Sequence, residues 1–201
     1  FNSLGFYEKE YEKYGVLSDV NMDMDNLMSV TDYMLGYLKG EKDDLNVSAV
    51  MGGKTREFFN EKEKAHMADV KVLFNWGYNI RDVAFIIFAA LALLFWVKKY
   101  RFEVFISKCF MNLSLALAAV LAVFGGILYF NFNKVFILFH ETFFTNDLWL
   151  LDPETDMLIN IVPEGFFVDM TARIGLIFFG AMAVIFVISA ITYKKTKGER
   201  P

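Results

Sequence analysis

Three apolar runs dominate the chain: residues 83–97, 104–130 and 174–193. The first is unbroken from Val83 to Val97, the second carries only Lys108 near its start, and the third carries no charge. A membrane-spanning helix takes ~20 mostly apolar residues. The second and third runs qualify directly, and the first does once it begins at Tyr78, with Arg81 and Asp82 in its first turns. The pattern predicts three transmembrane helices.

The polar stretches have their own periodicities. Asp25-Asn26 precedes Leu27, Thr31, Met34, Leu35 and Leu38 at helical spacing, and Gly40 follows, which reads as a capped amphipathic helix with a glycine stop. Residues 46–51 and 54–59 flank Gly52-Gly53, a two-residue hairpin turn. Asn60 with Glu63 forms a capping-box start for a helix carrying His66, with Asp69, Val70 and Leu73 on the same face. A straight helix from His66 to Trp76 would stand the imidazole ~15 Å above the interface, at ~1.5 Å per residue. The sequence therefore predicts that this helix lies flat, or that the chain turns near Asn75-Trp76-Gly77. Phe132, Phe136, Phe139, Phe143 and Phe144 recur at helical spacing, as in a helix lying in the headgroup plane. A turn follows at 146–153, and Leu158–Val162 reads as a strand closed by Pro163.

Composition supports the membrane class without deciding it. The chain has 201 residues, 56% hydrophobic, with 23 Phe, against ~45–50% apolar in soluble domains. Its 22% charged residues lie near the soluble average of ~25%, so charge and apolarity are segregated along the chain. Basic residues crowd the link 98–103 and the tail 194–200, whereas 131–171 holds Lys134 alone among seven acidic residues. Positive-inside counting makes the link and tail cytoplasmic and puts 1–80 and 131–171 on the outer face. An outer N-terminal segment without an initiator Met predicts something upstream, a removed signal peptide or, preferably, a fourth helix. The net charge of −4 argues against a nucleic-acid partner. The single cysteine, Cys109, forms no intramolecular disulfide.

The only two histidines, His66 and His140, fall on the same predicted side. A lone histidine is ordinarily a cap or an interfacial aromatic. Two on one side, one with a carboxylate at i+3, make a joint acid–base site a real alternative. A metal site from His66, Asp69, His140 and Glu141 is chemically conceivable. His140-Glu141 does not extend to the zinc-protease pattern, because position 144 is Phe. Arg81 and Arg173 each open a span, either snorkelling to phosphates or gripping a lipid headgroup.

Several segments, in order, resemble the lipoprotein intramolecular transacylase family of bacterial membrane proteins: Val30-Thr31-Asp32-Tyr33 with Tyr37–Gly40, His66-Met67-Ala68-Asp69-Val70, Phe139-His140 through Pro153, Asp156–Ile159, and Pro163–Phe167. The resemblance implies an acyltransferase of the bacterial cell membrane acting on a diacylglyceryl lipoprotein; the charge pattern puts its site at the outer leaflet beside membrane lipid, and no cofactor or metal is expected. Such an enzyme moves the sn-2 acyl chain to the α-amine of the N-terminal cysteine, giving the lyso-form, and its histidines map onto His66 and His140. Which histidine is the base stays open; the favoured assignment is His66 as base, oriented by Asp69, with His140 as acid or oxyanion stabiliser. Arg81, Asn146, Trp149 and Arg173 are expected to position substrate. The expected architecture is an α-helical integral membrane protein, a small helix bundle with an extracytoplasmic α+β cap. It divides into a cap at 1–77, two spans at 78–130, an interfacial segment at 131–171, and a last span with tail at 172–201. The competing readings are a non-enzymatic membrane module that binds a partner, and a metal-dependent lipid hydrolase.

Overall fold

The computed structural model describes residues 4–98 and 102–198. Lys99, Tyr100 and Arg101 of the basic link, and Glu199 and Arg200 of the tail, lie outside the described residues. The elements run α1 (Leu4–Tyr14), α2 (Val16–Asp19), α3 (Met24–Lys39), β1 (Ser48–Met51), β2 (Lys54–Glu57), α4 (Glu61–Val97), α5 (Phe102–Phe130), α6 (Phe132–Phe143), α7 (Met157–Ile161) and α8 (Glu164–Gly198). They fall into two compact units. One takes the chain up to Asn79 together with Phe136–Asp169, and the other takes Ile80–Val135 with the chain from Met170 onward.

The first unit has a conventional core. Leu27, Val30, Met34, Leu35 and Leu38 form the buried stripe of α3, and α1 meets it with Tyr7 and Tyr11. Burying Tyr11 would strand its hydroxyl, but Thr31 Oγ1 lies 2.7 Å away and itself donates to Leu27 O at 2.8 Å. Phe166 at the start of α8 stacks on Phe6 and Tyr7, with centroids at 5.4 and 5.0 Å. Beside it the Tyr14 ring occupies the space a side chain at Gly165 would need, 2.5 Å from an ideal Cβ. The Tyr14 hydroxyl donates to Asp169 Oδ2 at 2.6 Å, and Lys13 pairs with the same carboxylate.

Most local signals are realised. α3 ends at Gly40, in the left-handed region at φ 81°. Its N-cap is Asp23 rather than Asp25-Asn26, because the Asp23 carboxylate accepts from Asn26 N at 2.8 Å, which frees Asp25 for the first turn. The hairpin pairs Met51 with Lys54 across Gly52-Gly53, both at positive φ. The capping box is reciprocal, with Asn60 N donating to Glu63 Oε2 at 2.7 Å and Glu63 N to Asn60 Oδ1 at 3.0 Å.

The structure departs from the sequence reading in three places. The chain does not turn at Asn75-Trp76-Gly77: α4 is one helix of 37 residues, ~55 Å long at ~1.5 Å per residue. One glycine costs a helix only about 1 kcal/mol, and no proline interrupts it. Residues 158–162 are not a strand; 157–161 form the short helix α7, with Leu158 and Ile161 buried at helical spacing. The last helix starts at Glu164, about ten residues before the apolar run that announced it.

The second unit supplies α5 and the apolar lengths of α4 and α8. Among the described residues three helices are long and apolar enough to cross a membrane, within Glu61–Val97, Phe105–Leu128 and Glu164–Lys195. Phe85, Ile86, Leu113, Val120, Leu176 and Ile177 all stand exposed on them, a surface that lipid rather than water would cover.

Candidate active site

The first unit brings both histidines together. His66 lies on the polar first turns of α4, well before its apolar stretch, and His140 lies in the last turn of α6. Both are buried, at 6% and 7% exposure, and their ring centroids are 5.9 Å apart. Aromatic rings enclose them. Phe144 lies 5.2 Å from His66 and 5.4 Å from His140, and Phe136 and Trp149 lie 4.0 and 4.9 Å from His140. Phe136 and Phe144 stand one turn before and one turn after His140 in sequence. The phenylalanine periodicity of this segment therefore builds the wall of a site as well as an apolar face.

The two imidazoles are held differently. His140 Nδ1 is 2.7 Å from the Phe136 carbonyl oxygen. A carbonyl only accepts, so Nδ1 carries the proton and, in the neutral ring, Nε2 carries the lone pair. His66 Nδ1 is buried with no hydrogen-bond partner. Burial pushes the His66 pKa down to about 4, the nearby His140 pushes the same way, and Asp69 opposes both. Burial also lowers His140, while its bond to the Phe136 carbonyl raises it. Both rings are therefore neutral at pH 7; the Phe136 carbonyl favours the protonated form of His140, a support that His66 Nδ1 lacks.

Asp69 does not orient His66. Its Oδ2 accepts from Asn146 Nδ2 at 2.8 Å, and the Asn146 carbonyl oxygen accepts from Leu148 N at 3.1 Å. The carboxylate at i+3 is near the ring but is held by the loop after α6. Of Asn146 and Trp149, expected to touch substrate, Trp149 stacks on His140 at an interplanar angle of 31°, and Asn146 fixes Asp69, one turn beyond His66. Arg81 and Arg173 belong to the other unit. Arg81 pairs with its neighbour Asp82, Nη2 to Oδ1 at 2.7 Å.

Sequence reasoning missed a second task of Glu63. Beyond its cap, Oε1 accepts from Leu158 N at 2.5 Å, and the side chain is fully buried. Nearby, Asn60 Nδ2 donates to Asp156 Oδ1 at 2.7 Å, and Lys62 approaches Asp156 at 3.7 Å and donates to Leu150 O. The first turn of α4 thereby holds residues 150–158, and Asp69 holds Asn146, with Trp149 between the two anchorages. The only sequence cue was the capping box. Among the described residues no group of three or more His, Cys, Asp or Glu is arranged to hold a metal ion.

Comparison with known proteins bears on the fold and the family. The fold is similar to that of the membrane-integral lipoprotein intramolecular transacylase Lit of Bacillus cereus, with a TM-score of 0.75 and 22% identity over 98% of this chain and 86% of that one. Two further structures of that protein, carrying a histidine replaced by arginine or by alanine, each match with a TM-score of 0.67 at 22% identity. The first covers 97% of this chain and 82% of its own, the second 96% and 83%. No curated protein sequence matches. Residues 1–167, most of the chain, match the family described as lipoprotein intramolecular transacylase Lit, and the chain belongs to that family.

Proposed function

We propose that this chain moves the sn-2 acyl group of a diacylglyceryl lipoprotein to the α-amine of its N-terminal cysteine, with His140 as proton shuttle and His66 as hydrogen-bond donor. The observation that carries the assignment is the contact between His140 Nδ1 and the Phe136 carbonyl. It leaves Nε2 as the basic nitrogen and reverses the roles expected from sequence. His66, whose pKa is pushed down to about 4, is a poor proton acceptor but remains an N–H donor as the neutral ring.

The reaction balances with these two groups. The amine nitrogen attacks the ester carbonyl carbon, a C–N bond forms, and the carbonyl π electrons move onto oxygen. That oxyanion accepts the His66 N–H. His140 Nε2 takes the proton from the attacking nitrogen and delivers it to the glycerol oxygen as the C–O bond breaks. Amide and alcohol result, His140 returns to its neutral form, and neither an acyl-enzyme nor water takes part. Because amine and ester belong to one molecule, orientation supplies a large part of the rate; effective molarities in such systems reach ~10⁵–10⁸ M. The aromatic wall of Phe136, Phe144 and Trp149 suits a lipid reaction centre, since it excludes water that would otherwise compete with the amine.

In this reading residues 1–77 and 131–171 stand at the outer face of a bacterial cell membrane, and the partner is a diacylglyceryl lipoprotein within that leaflet. Support comes from the scarcity of basic residues in 131–171 and their concentration at 98–103 and 194–200.

The test is purified protein with a diacylglyceryl-cysteinyl peptide carrying an isotopic label in the sn-2 chain, read by mass spectrometry. Wild type is expected to yield labelled N-acyl, monoacylglyceryl cysteine. His66→Ala and His140→Ala are expected to fold and to lose at least about 100-fold in rate, as removal of a general base or an oxyanion donor does. Full transfer by either variant would overturn the assignment, and activity lost only to a chelator would favour a metal-dependent hydrolase.

A further inference from the structure

We propose that Asp69 is the seat of the substrate's α-ammonium group. The inference rests on the transacylase reading above and adds to it the recognition of the nucleophile. Asp69 lies one turn beyond His66 on α4, close enough for its charge to act on that ring, yet it makes no hydrogen bond to it. One oxygen is taken by Asn146, whose amide is itself fixed by Leu148 N, so the carboxylate is oriented rather than free to turn. Among the described residues it has no cationic partner: the ion pairs involve Asp169, Asp156, Glu57, Glu61 and Asp82 instead. The buried imidazoles beside it are neutral and do not satisfy it.

An oriented, half-exposed carboxylate without a counter-ion, beside two neutral imidazoles, is complementary to a small cation with several N–H donors. The lipoprotein N-terminus is such a cation. Its ordinary pKa of ~7.7–8.0 leaves it mostly protonated at neutral pH. Asp69 holds the ammonium where His140 Nε2 removes one proton and passes it to solvent; the freed amine then faces the ester, and the neutral imidazole is again able to carry the second proton from nitrogen to the glycerol oxygen. The two tasks are separate. Asp69 governs binding of the charged form, and His140 governs its conversion to the nucleophile. Ammonium recognition also explains why Asn146 spends its amide on Asp69: an amide N–H fixes the carboxylate without neutralising it, as a lysine or arginine would.

The experiment uses the full chain in nanodiscs and a dialkyl-ether analogue of the substrate peptide, which cannot transfer an acyl group, with its α-amine either free or N-acetylated. Wild type is expected to bind the free amine about 10- to 100-fold tighter, the loss of one charge-assisted hydrogen bond expressed as affinity. Asp69→Asn keeps an acceptor for Asn146 and is expected to bind both analogues equally; in turnover it raises KM by a similar factor and changes kcat much less. Asn146→Ala is expected to reduce the preference without abolishing it. Equal binding of the two analogues by wild type overturns the proposal, as does an undiminished preference in Asp69→Asn. Binding is read without turnover, so failure of the transacylase reading would show separately, as absent transfer with the ester substrate.

Discussion

Removing the Glu63 carboxylate is predicted to loosen the segment that carries Trp149. Glu63 accepts two backbone N–H groups, Asn60 N at 2.7 Å and Leu158 N at 2.5 Å, from a fully buried position. A hydrogen bond to a charged group contributes about 1.5–3 kcal/mol net, and an N–H left unpaired in the interior costs about 1–3 kcal/mol. Two effects reduce that sum. Burial raises the Glu63 pKa more than its backbone bonds lower it, so ionising this carboxylate opposes folding above the ordinary glutamate range. Asn60 N, at the helix start, also reaches water more readily than Leu158 N. The expected net loss for Glu63→Ala is about 3 kcal/mol. Glu63→Gln keeps one acceptor oxygen and is expected to lose about half as much. Hydrogen–deuterium exchange of peptides covering 60–64 and 156–161 reads this directly, because about 3 kcal/mol corresponds to exchange more than about 100-fold faster. The apolar stretch of α4 should exchange as in wild type. Unchanged protection at 156–161 in Glu63→Ala would refute the reasoning, since it would mean the Leu158 N–H had another partner.

Further predictions concern the imidazoles. His66 titrates near 6.5 when unfolded and about 4 when folded, so below pH 6.5 the unfolded chain gains a proton that the folded chain refuses. Stability is fully present above pH 6.5 and falls as pH drops towards 4, by about 3 kcal/mol over the window. His66→Phe is expected to flatten that slope in denaturation followed from pH 7 to 4, and an unaltered slope would contradict the burial argument. In a Trp76→Phe, Trp96→Phe background, Trp149 is the sole tryptophan and stacks on His140. Protonation of His140 should quench its fluorescence with a midpoint below 6.5, the direction burial imposes; a midpoint at or above 6.5 would mean the ring is solvated. Asn146→Ala should raise that midpoint by loosening the loop that holds Trp149.

Periodic features are legible in the amino-acid order itself. Apolar runs mark three helices, alternation around Gly52-Gly53 marks the hairpin, and Asn60 with Glu63 marks the start of α4. These signals are local, and each residue concerned acts on neighbours within a few positions. Features that depend on contacts far apart in sequence leave no such mark. The carboxylate at i+3 from His66 suggests a pair on one helix face, but an amide 77 residues away competes for it. Leu158–Val162 has the composition of a strand, yet no partner strand exists for it among the described residues, and Glu63 captures its first N–H to start a helix instead. The helices α1 and α2 carry no strong apolar period: α1 buries Tyr7 and Tyr11 against α3 and, through Tyr7, against Phe166 of α8, while α2 buries Val16 and meets α1 and α7. The histidines are conspicuous by scarcity alone; the Phe136 carbonyl that fixes the tautomer of His140 has no signature in a sequence.

The central claim is direct transfer within one lipid, driven by two neutral imidazoles and no enzyme nucleophile. A crossover experiment tests it most directly. Two diacylglyceryl-cysteinyl peptides of different peptide mass, one with light and one with heavy acyl chains, are turned over together by the wild-type protein. The account predicts that every product keeps its own chain, light on light and heavy on heavy, with no acylated protein at any time. Mixed products, or an acyl group trapped on the enzyme, would contradict it.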